Sequence, residues 1–174
     1  YCRRVFEDNP AELKSIRQLE RHYREQTPIR WYTCESFLYP MLNKALRAMD
    51  GDIMVRMGFF INDLHRHIQR EHKKQYEGRG SSTTFIVYRG QGLSKADFEQ
   101  MRKIKGGLMS FNSFLSTSKR QSVSLKFSER AASNPDLVGV LFEMKIDPSQ
   151  STTPFASIRD LSAIEGEDEM LFAM

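Results

Sequence analysis

Apolar side chains recur every three to four positions in the first part of this chain and every second position in the last, which predicts helices first and strands afterwards. Asn9-Pro10-Ala11-Glu12 reads as a helix start, with Asn9 as N-cap, Pro10 at the first helical position and Glu12 completing a capping box. Leu13, Ile16 and Tyr23 follow at roughly helical spacing until Thr27-Pro28 interrupts the pattern. From about Thr33, a stripe of Phe37, Leu38, Met41, Leu42, Ala45, Leu46 and Met49 predicts a buried amphipathic helix that Asp50-Gly51-Asp52 closes. Phe60, Leu64 and Ile68 predict a third helix, running into the polar stretch Arg70-Glu71-His72-Lys73-Lys74. Glu77-Gly78-Arg79-Gly80-Ser81-Ser82 reads as a loop, and the character of the chain changes across it.

Thr83-Thr84-Phe85-Ile86-Val87-Tyr88 is β-branched and aromatic and predicts a strand that delivers Arg89 at its end, with Gly90 leaving room for a ligand to approach the backbone. Ser94 with Asp97 marks a helix start, and residues 108–115 read as one or two short strands ended by Ser116-Thr117-Ser118. Ser118 and Gln121 read as a second capping box, opening a helix whose Val123, Phe127 and Ala131 share a face. Residues 128–136 read as an exposed loop and 137–146 as the strongest strand. Residues 147–161 look irregular, and the last segment reads as a final strand. This order predicts an α+β fold.

Composition narrows the classes. A chain of 174 residues with 40% hydrophobic and 28% charged positions suits one domain, mainly helical over 1–80 and strand-rich over 81–174. No apolar run nears the roughly 18 residues that span a bilayer and no signal-peptide pattern opens the chain, so no membrane span is expected, and the abrupt start at Tyr1 reads as that of an excised domain. A net charge of +4 argues little for nucleic acid, and the basic cluster over 66–79 reads as the wet face of a helix. Cys2 and Cys34 permit one disulfide at most and match no zinc spacing. His65 and His67, two apart on a helix, point to different faces, so these histidines and His72 read as solvated surface and no metal is expected.

The candidate chemistry centres on the acidic run before the last strand. If 165–174 is extended, Glu167 and Glu169 lie on one side with carboxylates roughly 7 Å apart. Ahead of them, in order, come Val87-Tyr88-Arg89-Gly90 and Phe114-Leu115-Ser116-Thr117-Ser118. This ordered trio, ending in Glu167-Asp168-Glu169-Met170-Leu171, resembles the arginine–serine–glutamate class of mono-ADP-ribosyltransferases. Trp31-Tyr32-Thr33 and Tyr39-Pro40-Met41-Leu42-Asn43-Lys44-Ala45-Leu46-Arg47 resemble its eukaryotic branch, so the likeness runs over nearly the whole chain from about Trp31.

The resemblance implies two packed antiparallel sheets around an NAD cleft, with a helical lobe on one side. It implies NAD as a substrate, not a redox cofactor, and a transition state like that of glycoside hydrolysis. Arg89 would pair with the dinucleotide phosphates, as a multi-donor guanidinium does well, unless it forms a salt bridge to a cleft carboxylate. Gly90 would offer backbone groups to the nicotinamide amide. Ser116 would orient the catalytic Glu169, within an NAD-binding set that includes Thr117 and Ser118. Phe127 would stack on nicotinamide, with core packing as the other reading, and Arg130 would touch phosphate from the loop that follows. Glu167, where arginine-modifying members carry glutamate, points to an acceptor protein with an exposed arginine, and the loop over 157–164 would face it.

The chain departs from the surface-anchored vertebrate members in lacking their extra cysteines and flanking signals, which points to an intracellular domain or a secreted one without that disulfide framework. A monomer is expected. The alternatives are an NAD glycohydrolase with the same trio, a non-catalytic NAD-binding module, and a basic nucleic-acid binder, for which no aromatic-plus-basic motif is visible.

Overall fold

The structure, a computed structural model, describes residues 1–76, 83–164 and 168–174, so the expected loop at 77–82 and the candidate Glu167 lie outside the described residues. A short helix α1 (Cys2–Val5), which no pattern signalled, precedes α2 (Pro10–His22). Asn9 caps α2 by accepting from the Glu12 N–H at 3.2 Å. The capping box is only half made: the Asn9 N–H donates to the Phe6 carbonyl, and the Glu12 carboxylate accepts from the Phe37 N–H at 2.9 Å.

Thr27-Pro28 does more than interrupt. Thr27 caps α3 (Pro28–Thr33), with Pro28 at a position where its missing N–H costs nothing. The amphipathic helix α4 (Leu38–Ala48) therefore begins five residues after Thr33, and Met49 ends it in a left-handed conformation (φ 54°). Asp50 then opens α5 (Gly51–Arg56), accepting from the Ile53 N–H, so the expected stop signal is also a start signal. Helix α6 (Gly58–Tyr76) buries Phe60, Leu64 and Ile68 as their spacing requires. His67 stands beside them on that stripe and is buried, and His72 Nδ1 bonds the Phe155 carbonyl at 2.8 Å. The solvated reading fails for both, because the apolar stripe of α6 is wide enough to include them.

The strand-rich part runs β1 (Phe85–Ser94), α7 (Lys95–Lys103), β2 (Leu115–Ser118), α8 (Gln121–Ala132), β3 (Leu137–Ile146), β4 (Phe155–Ser157) and β5 (Glu169–Phe172). The mixed α+β character is as expected. Two sheets are not observed: among the described residues there is a single antiparallel sheet in the order β3-β1-β2-β5-β4. It has a narrow waist, though. β1 and β3 pair along their whole length, whereas β1 meets β2 only at Tyr88↔Ser118.

Several boundaries move. Because β3 supplies a full ladder, β1 continues through Arg89 and Gly90 to Ser94 instead of ending at Arg89. Within 108–115 only Leu115 belongs to a strand, and Ser116-Thr117-Ser118 form β2 rather than ending one. Ser94 caps α7 as read, but Ser118 does not cap α8; its Oγ accepts from the Arg120 N–H in the connecting turn. Helix α8 runs on to Ala132, taking in residues read as loop, and the irregular stretch holds β4.

The helices share one core with the sheet. Tyr32, Leu42, Leu46, Phe60 and Leu64 pack with Phe114, Ile158 and Leu171, while Val87, Leu115, Phe155, Met170 and Phe172 form a second cluster. Strand alternation separates these sets, since Leu171 faces opposite to Met170 and Phe172. Helix α6 also covers the outer edge of β4: the Gln75 side-chain amide donates to the Ser157 carbonyl at 2.9 Å and accepts from its N–H at 2.8 Å. An edge strand closed in this way offers fewer free backbone groups to a stray strand. Among the described residues, no helix is long and apolar enough to cross a membrane.

Candidate functional site

Register decides which hydroxyl meets the carboxylate. In the β2–β5 ladder Ser118 stands opposite Glu169 and Ser116 opposite Leu171. Alternation places Ser116, Ser118 and Glu169 on one face and Thr117 on the other. The diagonal step across two strands is within reach of a long side chain. Ser116 Oγ makes that step, donating to Glu169 Oε1 at 2.5 Å. Glu169 is only 6% exposed, and a buried carboxylate of this kind needs such donors. Thr117 Oγ1 donates to the Met170 carbonyl at 3.0 Å and Ser118 Oγ accepts from the Arg120 N–H, while Ser116 donates to the acid.

Arg89 enters from β1. Its Nη1 donates to the Ser116 carbonyl at 2.7 Å and its Nε to Gln91 Oε1 at 3.1 Å. The guanidinium thus holds the backbone of the residue whose hydroxyl holds Glu169. Two of its five N–H groups are used in these bonds, which leaves about three for a ligand. Among the described residues Arg89 forms no salt bridge to a carboxylate; its partners there are the Ser116 carbonyl and Gln91.

These residues line a cleft of about 400 Å³, within the usual range for a small-molecule site. Its second wall is α8, which contributes Val123, Ser124 and Phe127. Phe127 is 54% exposed, so its ring faces open space and is not the core residue its apolar stripe also allowed. Gly90 lies on the lining for a different reason from the one expected. A Cβ there would fall 1.7 Å from the Ser124 carbonyl oxygen, so the missing side chain admits α8 rather than a ligand. The Ser124 hydroxyl donates to the Tyr88 carbonyl and fastens the helix at the same point. Arg130 is not brought in. It is exposed in the last turn of α8, not in a following loop, and does not line the cleft.

The third wall comes from α3, the start of α4 and residues 34–36 between them, and no sequence motif gives it a role. Tyr32 is fully buried; its hydroxyl donates to the Phe114 carbonyl and accepts from Asn43 Nδ2 at 2.8 Å. Burial pushes its phenol well above the ordinary range, so it stays a neutral donor. The Tyr39 ring packs against it at 5.1 Å. Burial likewise raises the Cys34 thiol, partly offset by Arg30. Glu35 and Ile164 complete the rim. The sequence signal for this wall was Trp31-Tyr32-Thr33 and Tyr39-Pro40, conspicuous aromatics whose spacing said nothing about where they point. Among the described residues, no group of three potential metal ligands gathers.

No family model and no curated protein matches this chain. The geometry therefore speaks for itself: an anchored buried carboxylate, a guanidinium with donors to spare and an exposed aromatic ring share one cleft. Such a set suits a ligand with an anionic part, a flat ring and a centre of positive charge near the carboxylate.

Proposed function

We propose that the protein is a mono-ADP-ribosyltransferase that moves ADP-ribose from NAD to arginine side chains of proteins and releases nicotinamide. The observation that carries this reading is the Ser116 Oγ–Glu169 Oε1 bond at 2.5 Å, in a cleft that Arg89 also lines. In the proposed reaction the bond between the nicotinamide nitrogen and the ribose carbon breaks, and its electron pair leaves with neutral nicotinamide. A guanidino nitrogen of the acceptor forms the new bond to that carbon and gives up one proton, for which the Glu167 carboxylate is the proposed acceptor.

Positive charge builds on the ribose as the bond breaks, as in glycoside hydrolysis. Glu169 would face that charge and hold a ribose hydroxyl, and Ser116 keeps its carboxylate in one orientation. Arg89 would bind the pyrophosphate with its remaining donors, while the open face of Phe127 is available to stack on nicotinamide. Glu167 is assigned the acceptor guanidinium from its place in the sequence alone. NAD acts as substrate throughout, and the reading calls for no metal.

The test measures nicotinamide release from NAD with and without agmatine, for the intact chain and for Glu169→Gln. The expected result is an agmatine conjugate whose formation falls about two to three decades in the variant, the usual scale for losing a preorganised electrostatic contact. Glu169-dependent release that yields only free ADP-ribose would favour a glycohydrolase. NAD binding with no turnover would leave a binding module and sink the proposal.

A further inference from the structure

Residues 34–37, between α3 and α4, separate the cleft from a second cavity of about 230 Å³, and Glu35 lines both. The segment is held firmly. Glu12 accepts from the Phe37 N–H at 2.9 Å at one end, and at the other Thr33 Oγ1 accepts from the Ala163 N–H at 2.8 Å. That second bond brings two parts of the rim together. Ala163 and Ile164 directly precede the acidic run in the sequence, on the side where the acceptor is expected to approach. Glu35 is therefore fixed beside the acceptor approach, on a wall remote in sequence from Glu169.

The charge on Glu35 is uncommitted. Among the described residues its carboxylate forms no ion pair, as is true of most acids in the chain, but Glu35 is the acid on the wall shared by the two cavities. It is exposed and has open space on two sides, so its carboxylate can take a bidentate partner without displacing anything packed. The cation already in the cleft, Arg89, is tied to Ser116 and Gln91. We infer that Glu35 is a recognition residue for the acceptor, pairing with the arriving guanidinium at the mouth of the cleft before transfer. This rests on the arginine-transferase reading and adds a specificity determinant that does not depend on the Glu167 carboxylate.

Steady-state kinetics with agmatine as the acceptor test it. Glu35→Gln should raise the KM for agmatine about fivefold, the scale of an exposed ion pair, with kcat at saturating agmatine unchanged. The KM for NAD, and release of free ADP-ribose without acceptor, should stay at wild-type values, which a general disturbance of the wall would not permit. Raising ionic strength should raise the agmatine KM of the wild type more than that of the variant. If the wild type conjugates agmatine and Glu35→Gln does so with unaltered KM, the inference fails while the transferase reading stands. A KM for NAD that rises in step with that for agmatine also overturns it, since Glu35 would then only support the wall. If the wild type forms no conjugate, the parent reading fails and takes the inference with it.

Discussion

Replacing Ser116 with alanine removes the hydroxyl that donates to Glu169 and little else. The Ser116 carbonyl, which Arg89 uses, belongs to the backbone and stays, and so does the ladder to Leu171. A hydrogen bond to a charged group contributes about 1.5–3 kcal/mol, and the 2.5 Å contact to a carboxylate only 6% exposed belongs in that range. If that orientation matters mainly as charge builds on the ribose, Ser116→Ala should lower kcat by about 10- to 150-fold with little change in NAD affinity. The informative assay is a double-mutant cycle on nicotinamide release with Glu169→Gln. Because the hydroxyl is argued to act through the carboxylate, the Ser116→Ala effect should almost vanish once Glu169 is gone. Additive losses, or a Ser116→Ala chain with wild-type kcat, would refute the argument that Ser116 positions Glu169.

Two further predictions concern the frame of the site. Gly90→Ala sets a methyl 1.7 Å from the Ser124 carbonyl oxygen, so α8 must shift; urea unfolding should show a loss at or above the usual 1–3 kcal/mol of overpacking, roughly, and ligand affinity should fall with it. Gly51→Ala, with nothing within 4 Å, is the control and should be neutral or slightly stabilising. His67 is buried, its Nδ1 has no partner among the described residues, and burial first and Arg70 second lower its pKa below 6.5, against the opposing effect of Glu71. The folded state therefore favours neutral His67, and the unfolded chain binds more protons as pH falls. Its contribution is fully present above about pH 6.5 and is lost as pH falls through the lowered folded value. His67→Leu should flatten the stability difference between pH 7.5 and 5.5, and an unchanged difference would count against the argument.

What could be read from residues alone followed from local periodicity and local chemistry. Phe60, Leu64 and Ile68 define a helix face whatever surrounds them, and Asn9 and Ser94 cap because their side chains reach only a few residues along. Readings that depended on partners fared differently. Composition alone ends β1 at Arg89, but the ladder to β3 carries Gly90-Gln91-Gly92 as strand. The turn-like composition of 128–136 suggests a loop at Arg130, but the helix persists to Ala132. Glu35 could not be singled out at all. An exposed acid between helices has no pattern, and it acquires interest only when a fold sets it on a cavity wall.

The narrow waist of the sheet gives these observations a common cause. With Tyr88 opposite Ser118, a continued antiparallel ladder would set Gly90 opposite Ser116 and use the Ser116 carbonyl for a backbone bond. The ladder stops instead, and the Arg89 guanidinium bonds that carbonyl. A strand edge that would otherwise be filled by its neighbour thus becomes a place for a cation, directly behind the serine that orients Glu169. Gly90, having no side chain, receives the backbone of α8, whose Phe127 lines the cleft. The missing pairing between β1 and β2 is therefore part of how the cleft is made: close it, and the guanidinium loses its anchor on the Ser116 carbonyl.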